Sequence, residues 1–125
     1  MSALRRFVLS FLVVGMATIG LTDARAAQPV FNLRIELGRV PENMRLIRVE
    51  QRDAVTLRWS VDRPMTLHLH GYDIEKQVTP GTVGEMTFTA RATGRFPIHI
   101  HGTGAGTGKL APEEAPLVNV EVYPR

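Results

Sequence analysis

Cysteine is absent from all 125 residues. That excludes disulfides, thiolate nucleophiles, thiolate–metal bonds and a lipid attached at a cleavage-site cysteine. Aromatic residues are scarce at 6%, and the charges after residue 26 are scattered rather than set along one stripe, so nucleic-acid binding has no electrostatic footprint. No apolar run is long enough to span a bilayer. The longest, Phe7 to Leu21, has about 15 residues against the roughly 20 required. Outside that run no window repeats with the 3.6-residue period of a helix.

The start of the chain accounts for much of its basicity. Arg5 and Arg6 precede the Phe7–Leu21 run, and Ala24-Arg25-Ala26 places small residues where a signal peptidase needs them. The expectation is a secretory signal over 1–26, cut after Ala26, with a bacterial periplasm as destination and no stable membrane insertion afterwards. Residues 1–26 carry Arg5, Arg6, Arg25 and Asp23, so their removal lowers the formal charge of +3 to about +1. The remainder, 27–125, is long enough for one domain with one core, which must be stabilised by burial alone.

That remainder reads as strands. "FNLRIEL" alternates Phe31, Leu33, Ile35 and Leu37 inward against Asn32, Arg34 and Glu36. "MRLIRVE" sets Ile47 and Val49 inward, and "VTLRWSV" does so with Val55, Leu57, Trp59 and Val61. Met65, Leu67 and Leu69 form the next inward face, Met86, Phe88 and Ala90 another. Phe96, Ile98 and Ile100 follow, then Val118, Val120 and Val122. "GYDIEKQVTPGTVG" reads as loop, with a Pro80-Gly81 turn. Seven or eight short strands at this spacing imply an all-β antiparallel sandwich or Greek-key barrel.

All four histidines fall in two His-x-His pairs, "HLHG" at 68–71 and "HIHG" at 99–102. Side chains two apart on a strand share a face. His68 and His70 therefore oppose Leu67 and Leu69, and His99 and His101 oppose Ile98 and Ile100. One such pair alone is ordinary solvated surface. Two pairs, each followed by glycine and together holding every histidine of the chain, suggest a metal site, because neutral imidazole suits copper, zinc and nickel. The spacing permits the two strands to be neighbours without requiring it.

Other candidates are weaker. Met65 could be a soft ligand, but its phase with Leu67 and Leu69 places it in the core, as does the phase of Met86. Asp73 and Glu75 read as solvated charges or as carboxylates that orient an imidazole or complete a zinc sphere. The glycine-rich "GTGAGTGKL" fails as a phosphate loop, since Thr103 stands where the first glycine belongs and Leu110 follows Lys109. It reads as a loop beside the histidines.

The order "VTLRW", turn, histidine-rich strand, Pro-Gly, "FTA" and Gly-x-aromatic resembles the cupredoxin superfamily over most of 27–125. "HLHG" is similar to the first histidine motif of multicopper oxidase domains. "GRFPIHIH" resembles their later motif, with Gly94, Phe96, His99 and His101 in matching positions. In that family such histidines ligate type 2 and type 3 coppers, half from each of two domains. The resemblance thus implies a cupredoxin-like Greek-key β-sandwich with His68, His70, His99 and His101 as metal ligands. It also implies what is missing. The strong ligands of a type 1 copper would fall at Met65, Ile100 and Ala105, and the axial ligand at Leu110, so blue-copper electron transfer is not expected.

Three functions follow as expectations. The first is a periplasmic protein that binds, buffers or delivers copper through the four histidines. Cu(II) is expected over Cu(I), zinc is the alternative metal, and a periplasmic metalloprotein or copper transporter would be the partner. The second is a cupredoxin-fold adaptor without metal. The third is a small zinc or copper enzyme with a metal-activated water, for which Asp73 and Glu75 are the only acidic residues flanking the motifs.

Overall fold

The computed structural model describes residues 26–101 and 115–125. The expected signal except Ala26, the "GTGAGTGKL" segment and the pair Glu113 and Glu114 lie outside the described residues. Eight strands run in chain order: β1 (Val30–Ile35), β2 (Leu46–Glu50), β3 (Ala54–Val61), β4 (Met65–Leu69), β5 (Ile74–Val78), β6 (Gly84–Thr89), β7 (Gly94–His101) and β8 (Val118–Tyr123). They form a sandwich of two sheets, one ordered β1-β3-β6 and the other β2-β8-β7-β4-β5.

The alternation of apolar and polar residues decides which side of each strand enters the sandwich. Leu33, Ile35, Val55, Leu57, Trp59 and Met86 from the smaller sheet meet Ile47, Val49, Leu67, Leu69, Ile98, Val118 and Val120 from the larger. Trp59, the single tryptophan, is fully buried, and its Nε1 is the one buried side-chain polar atom without a partner among the described residues. Met65 and Met86 are core residues, as their phase predicts, and Met44 packs partly buried against the core.

Three expectations need correction. The sheets are not wholly antiparallel: β1 pairs with β3, and β2 with β8, in parallel. Between β1 and β3 the chain crosses to the other sheet to form β2 and then returns, so β3 lies beside β1 in the same direction. Side-chain alternation records which face is buried but not strand direction, which is why the parallel pairs were invisible to it. The segment read as loop contains β5, which pairs antiparallel with β4. It lies at the sheet edge and exposes Glu75, Lys76 and Gln77 in succession, so no alternation marks it. Finally, Leu37 is 81% exposed instead of inward. The backbone turns there, with φ of 51° at Leu37 and 73° at Gly38, and a bridge from Glu36 to Arg39 closes the turn.

Candidate metal centre

The adjacency that the histidines required is present. β4 and β7 are antiparallel neighbours, with Leu67 opposite Ile100, His68 opposite His99 and Leu69 opposite Ile98. Because Leu67, Leu69 and Ile98 are fully buried, the four half-buried imidazoles gather on the outer face of the larger sheet. His70 stands one residue beyond the end of β4, and its N–H donates to the Pro97 carbonyl at 3.0 Å, which keeps it in register with β7.

Register alone would pair His68 with His99, yet the rings meet along diagonals. His68 lies 5.0 Å from His101 between centroids, and His70 lies 4.9 Å from His99. Diagonal side chains on neighbouring strands are within reach of long and aromatic residues. His68 and His70 tilt together to 4.2 Å, closing the group. The result is a cluster of His68, His70 and His101 whose ligating nitrogens all lie within 4.8 Å of one another. His99 touches the cluster through His70 but is not part of that trio.

His68 Nδ1 and His101 Nε2 are 3.3 Å apart. Two nitrogens each bound at about 2.0 Å to one tetrahedral ion stand about 3.3 Å apart, so this pair fits a shared cation without rearrangement. The opposite edge of the His68 ring faces Asp73, with Nε2 at 3.6 Å from Oδ1. A carboxylate there favours the tautomer with its proton on Nε2 and leaves the Nδ1 lone pair directed at His101. Glu75 is opposite His68 on β5 and exposed. The His70 imidazole is held below its ordinary pKa of 6.5, first by burial and then by repulsion from His68, His99 and His101. A lowered pKa keeps that ring neutral, the form that binds metal.

Gly71 shows why the first motif ends in glycine. Its φ is +88°, and an added Cβ would lie 2.4 Å from Cδ1 of Phe96. The glycine after the first histidine pair thus lets the β4–β5 turn close onto the aromatic ring that precedes the second pair. Phe96 in turn stacks edge-on against Tyr72 at 4.8 Å, and Tyr72 lies 4.9 Å from Phe88. This aromatic trio fixes the turn that carries His70.

The sandwich as a whole is similar to solved structures. A chain of a heme-copper terminal oxidase dimer superposes with a TM-score of 0.55 at 17% identity, over 84% of this chain and 76% of that one. The multi-copper oxidase from Pseudomonas thermotolerans gives 0.55 at 20% identity, over 81% of this chain but 31% of its own. Auracyanin A, a blue copper protein from Chloroflexus aurantiacus, gives 0.52 at 14% identity, over 79% of this chain and 100% of that one. The fold is that of the cupredoxins. No family model and no curated protein matches the sequence. At these identities the cupredoxin likeness establishes the fold, and the chain spans about a third of the multi-copper oxidase.

Within the cupredoxin frame, two of the positions where the resemblance places type 1 ligands are occupied by Met65 and Ile100. Met65 is buried in the core and Ile100 is packed against it. The other two, Ala105 and Leu110, lie outside the described residues. The donors gathered here are therefore imidazoles, and they can hold a metal ion at His68, His70 and His101. One polar residue escaped sequence reasoning: Asp53 is 4% exposed and is the only buried charged residue among those described. Beside the local Glu50 N–H, two of its partners are 26 and 72 residues away in sequence, a distance no local pattern reports.

Proposed function

We propose that this chain is an exported cupredoxin-fold protein that binds Cu(II) on its histidine patch and buffers or delivers it. The observation that carries the reading is the convergence of the His68, His70 and His101 nitrogens within 4.8 Å. His99, beside His70, supplies a fourth imidazole at the margin of the same patch. Imidazole is harder than thiolate or thioether, and no cysteine is present, so the donor set favours Cu(II) over Cu(I). Zinc accepts the same ligands, but copper outranks it in the ordinary affinity order. The similar structures named above include copper proteins, which supports the choice. Export rests on the Arg5-Arg6, Phe7–Leu21 and Ala24–Ala26 pattern; a periplasmic metalloprotein or copper transporter would take or supply the ion.

In this reading His68, His70 and His101 bind the ion, Asp73 orients His68, and the leucines and isoleucines behind the patch hold the rings in place. Copper, when bound, would supply a Lewis-acidic cation for these ring nitrogens.

The second reading, a metal-free adaptor, is favoured by one contact: His68 and His101 at 3.3 Å also satisfy each other as an imidazole–imidazole hydrogen bond. Electron spin resonance separates the two. Cu(II) added to the purified protein is expected to show nitrogen hyperfine structure that disappears when His68, His70 and His101 are all replaced by alanine. A spectrum unchanged by those substitutions would sink the copper site.

A further inference from the structure

The histidines lie on β4 and β7, whereas Asp53 sits in the turn between β2 and β3 and has no part in the patch. Its Oδ2 accepts from the Glu50 N–H at 2.9 Å. Its Oδ1 accepts from Arg125 Nη2 at 2.9 Å and from the Ala27 N–H at 3.1 Å. Ala27 is held there by backbone bonds. The Ala54 N–H donates to its carbonyl at 3.0 Å, and the Thr56 N–H donates to that of Pro29 at 3.0 Å, so residues 27–29 extend the β1–β3 pairing. The nitrogen beside Asp53 is thus positioned by strand register rather than by a flexible side chain.

That nitrogen belongs to the residue expected to follow the signal. Hydrolysis of the Ala26–Ala27 bond by water leaves a carboxylate on Ala26 and an amine on Ala27, and the amine takes up a proton at neutral pH. The neutral amide donor then becomes an ammonium against a buried carboxylate. Charge-assisted hydrogen bonds are roughly twice as strong as neutral ones. We propose that Asp53 is a built-in receptor for the α-ammonium that processing creates at Ala27, so that removing the signal tightens the fold. Both Ala26 and Ala27 are exposed, which leaves the bond open to a peptidase while its product amine stays in register with Asp53. The inference rests on the export reading and is independent of copper.

The test uses the full chain exported by a Gram-negative host and purified after processing. Intact mass reads the new N-terminus, which is expected to be Ala27. Part of the sample is then acetylated at the α-amine, with Lys76 and Lys109 as internal references because they are the only other amines after residue 26. Acetylation is expected to lower the midpoint of thermal unfolding by about 4–8 °C. In Asp53→Asn the free and acetylated forms should melt together. Should that variant fail to fold, the wild-type labelling rate serves instead: the Ala27 amine is expected to react at least about tenfold more slowly in the folded protein than in urea. A different N-terminus, equal midpoints for the two wild-type forms, or equal labelling rates folded and unfolded would each overturn the proposal.

Discussion

β7 carries two different surfaces on the outer side of one sheet. Near its start Arg95 pairs with Glu121 of β8, which also meets Arg48 of β2 at 3.6 Å and accepts from the Tyr123 hydroxyl at 2.7 Å. Glu121 is held below the usual carboxyl range by that hydroxyl and then by Arg95, and the Tyr123 phenol is raised in return. Every charge there has an opposite within reach. Near its end, His99 and His101 join His68 and His70, and among the described residues the carboxylate that meets them is the exposed Asp73. On the first surface one carboxylate serves two guanidiniums and a phenol. The second gathers imidazole nitrogens, and burial followed by its crowded neighbours disfavours protonation of His70. The difference identifies the histidine end as the one suited to take a metal.

The comparison can be broken from either side. His101→Ala should weaken Cu(II) binding by about a hundredfold or more, roughly 2.7 kcal/mol, in a competition titration. His99→Ala, outside the trio, should cost no more than about tenfold. Equal losses would mean that all four rings contribute alike. Gly71→Ala combines a left-handed backbone with a Cβ driven into Phe96, and should destabilise the protein by about 2–4 kcal/mol in urea unfolding.

Acid should separate the two ends next. A His70 pKa lowered in the fold means that the unfolded chain, near 6.5, binds the proton more readily. Stability is therefore unaffected above that range and declines as pH falls through 6.5, and bound copper is released over the same descent. A pH series of unfolding midpoints, with and without His70→Asn, checks the sign: the variant should lose that part of the slope. The smallest effect is expected for Arg95→Ala. Exposed ion pairs contribute little, so copper uptake should be unchanged and the melting midpoint nearly so.

Period-two alternation made the core legible: the inward sets from Leu33 through Val122 are buried nearly as written, and the opposite phase put the histidines outside. It failed where alternation carries no information. β5 has none because an edge strand keeps its charges in solvent, and Leu37 continues a pattern after the backbone has turned away. The histidines were legible as residues, but their division into a trio and a neighbour was not. That division comes from diagonal contact between strands, which depends on which strands are adjacent and on how their rings tilt. Asp53 was beyond reach for a related reason, since its burial depends on Ala27 and Arg125 meeting at one turn.

Trp59 has a practical consequence. The only indole in the chain is sealed among apolar side chains, with no partner for its N–H among the described residues, so its fluorescence should be blue-shifted in the folded protein and move to longer wavelength when the sandwich opens. The molecule carries its own optical reporter, placed where it senses the joining of the two sheets without a label being attached.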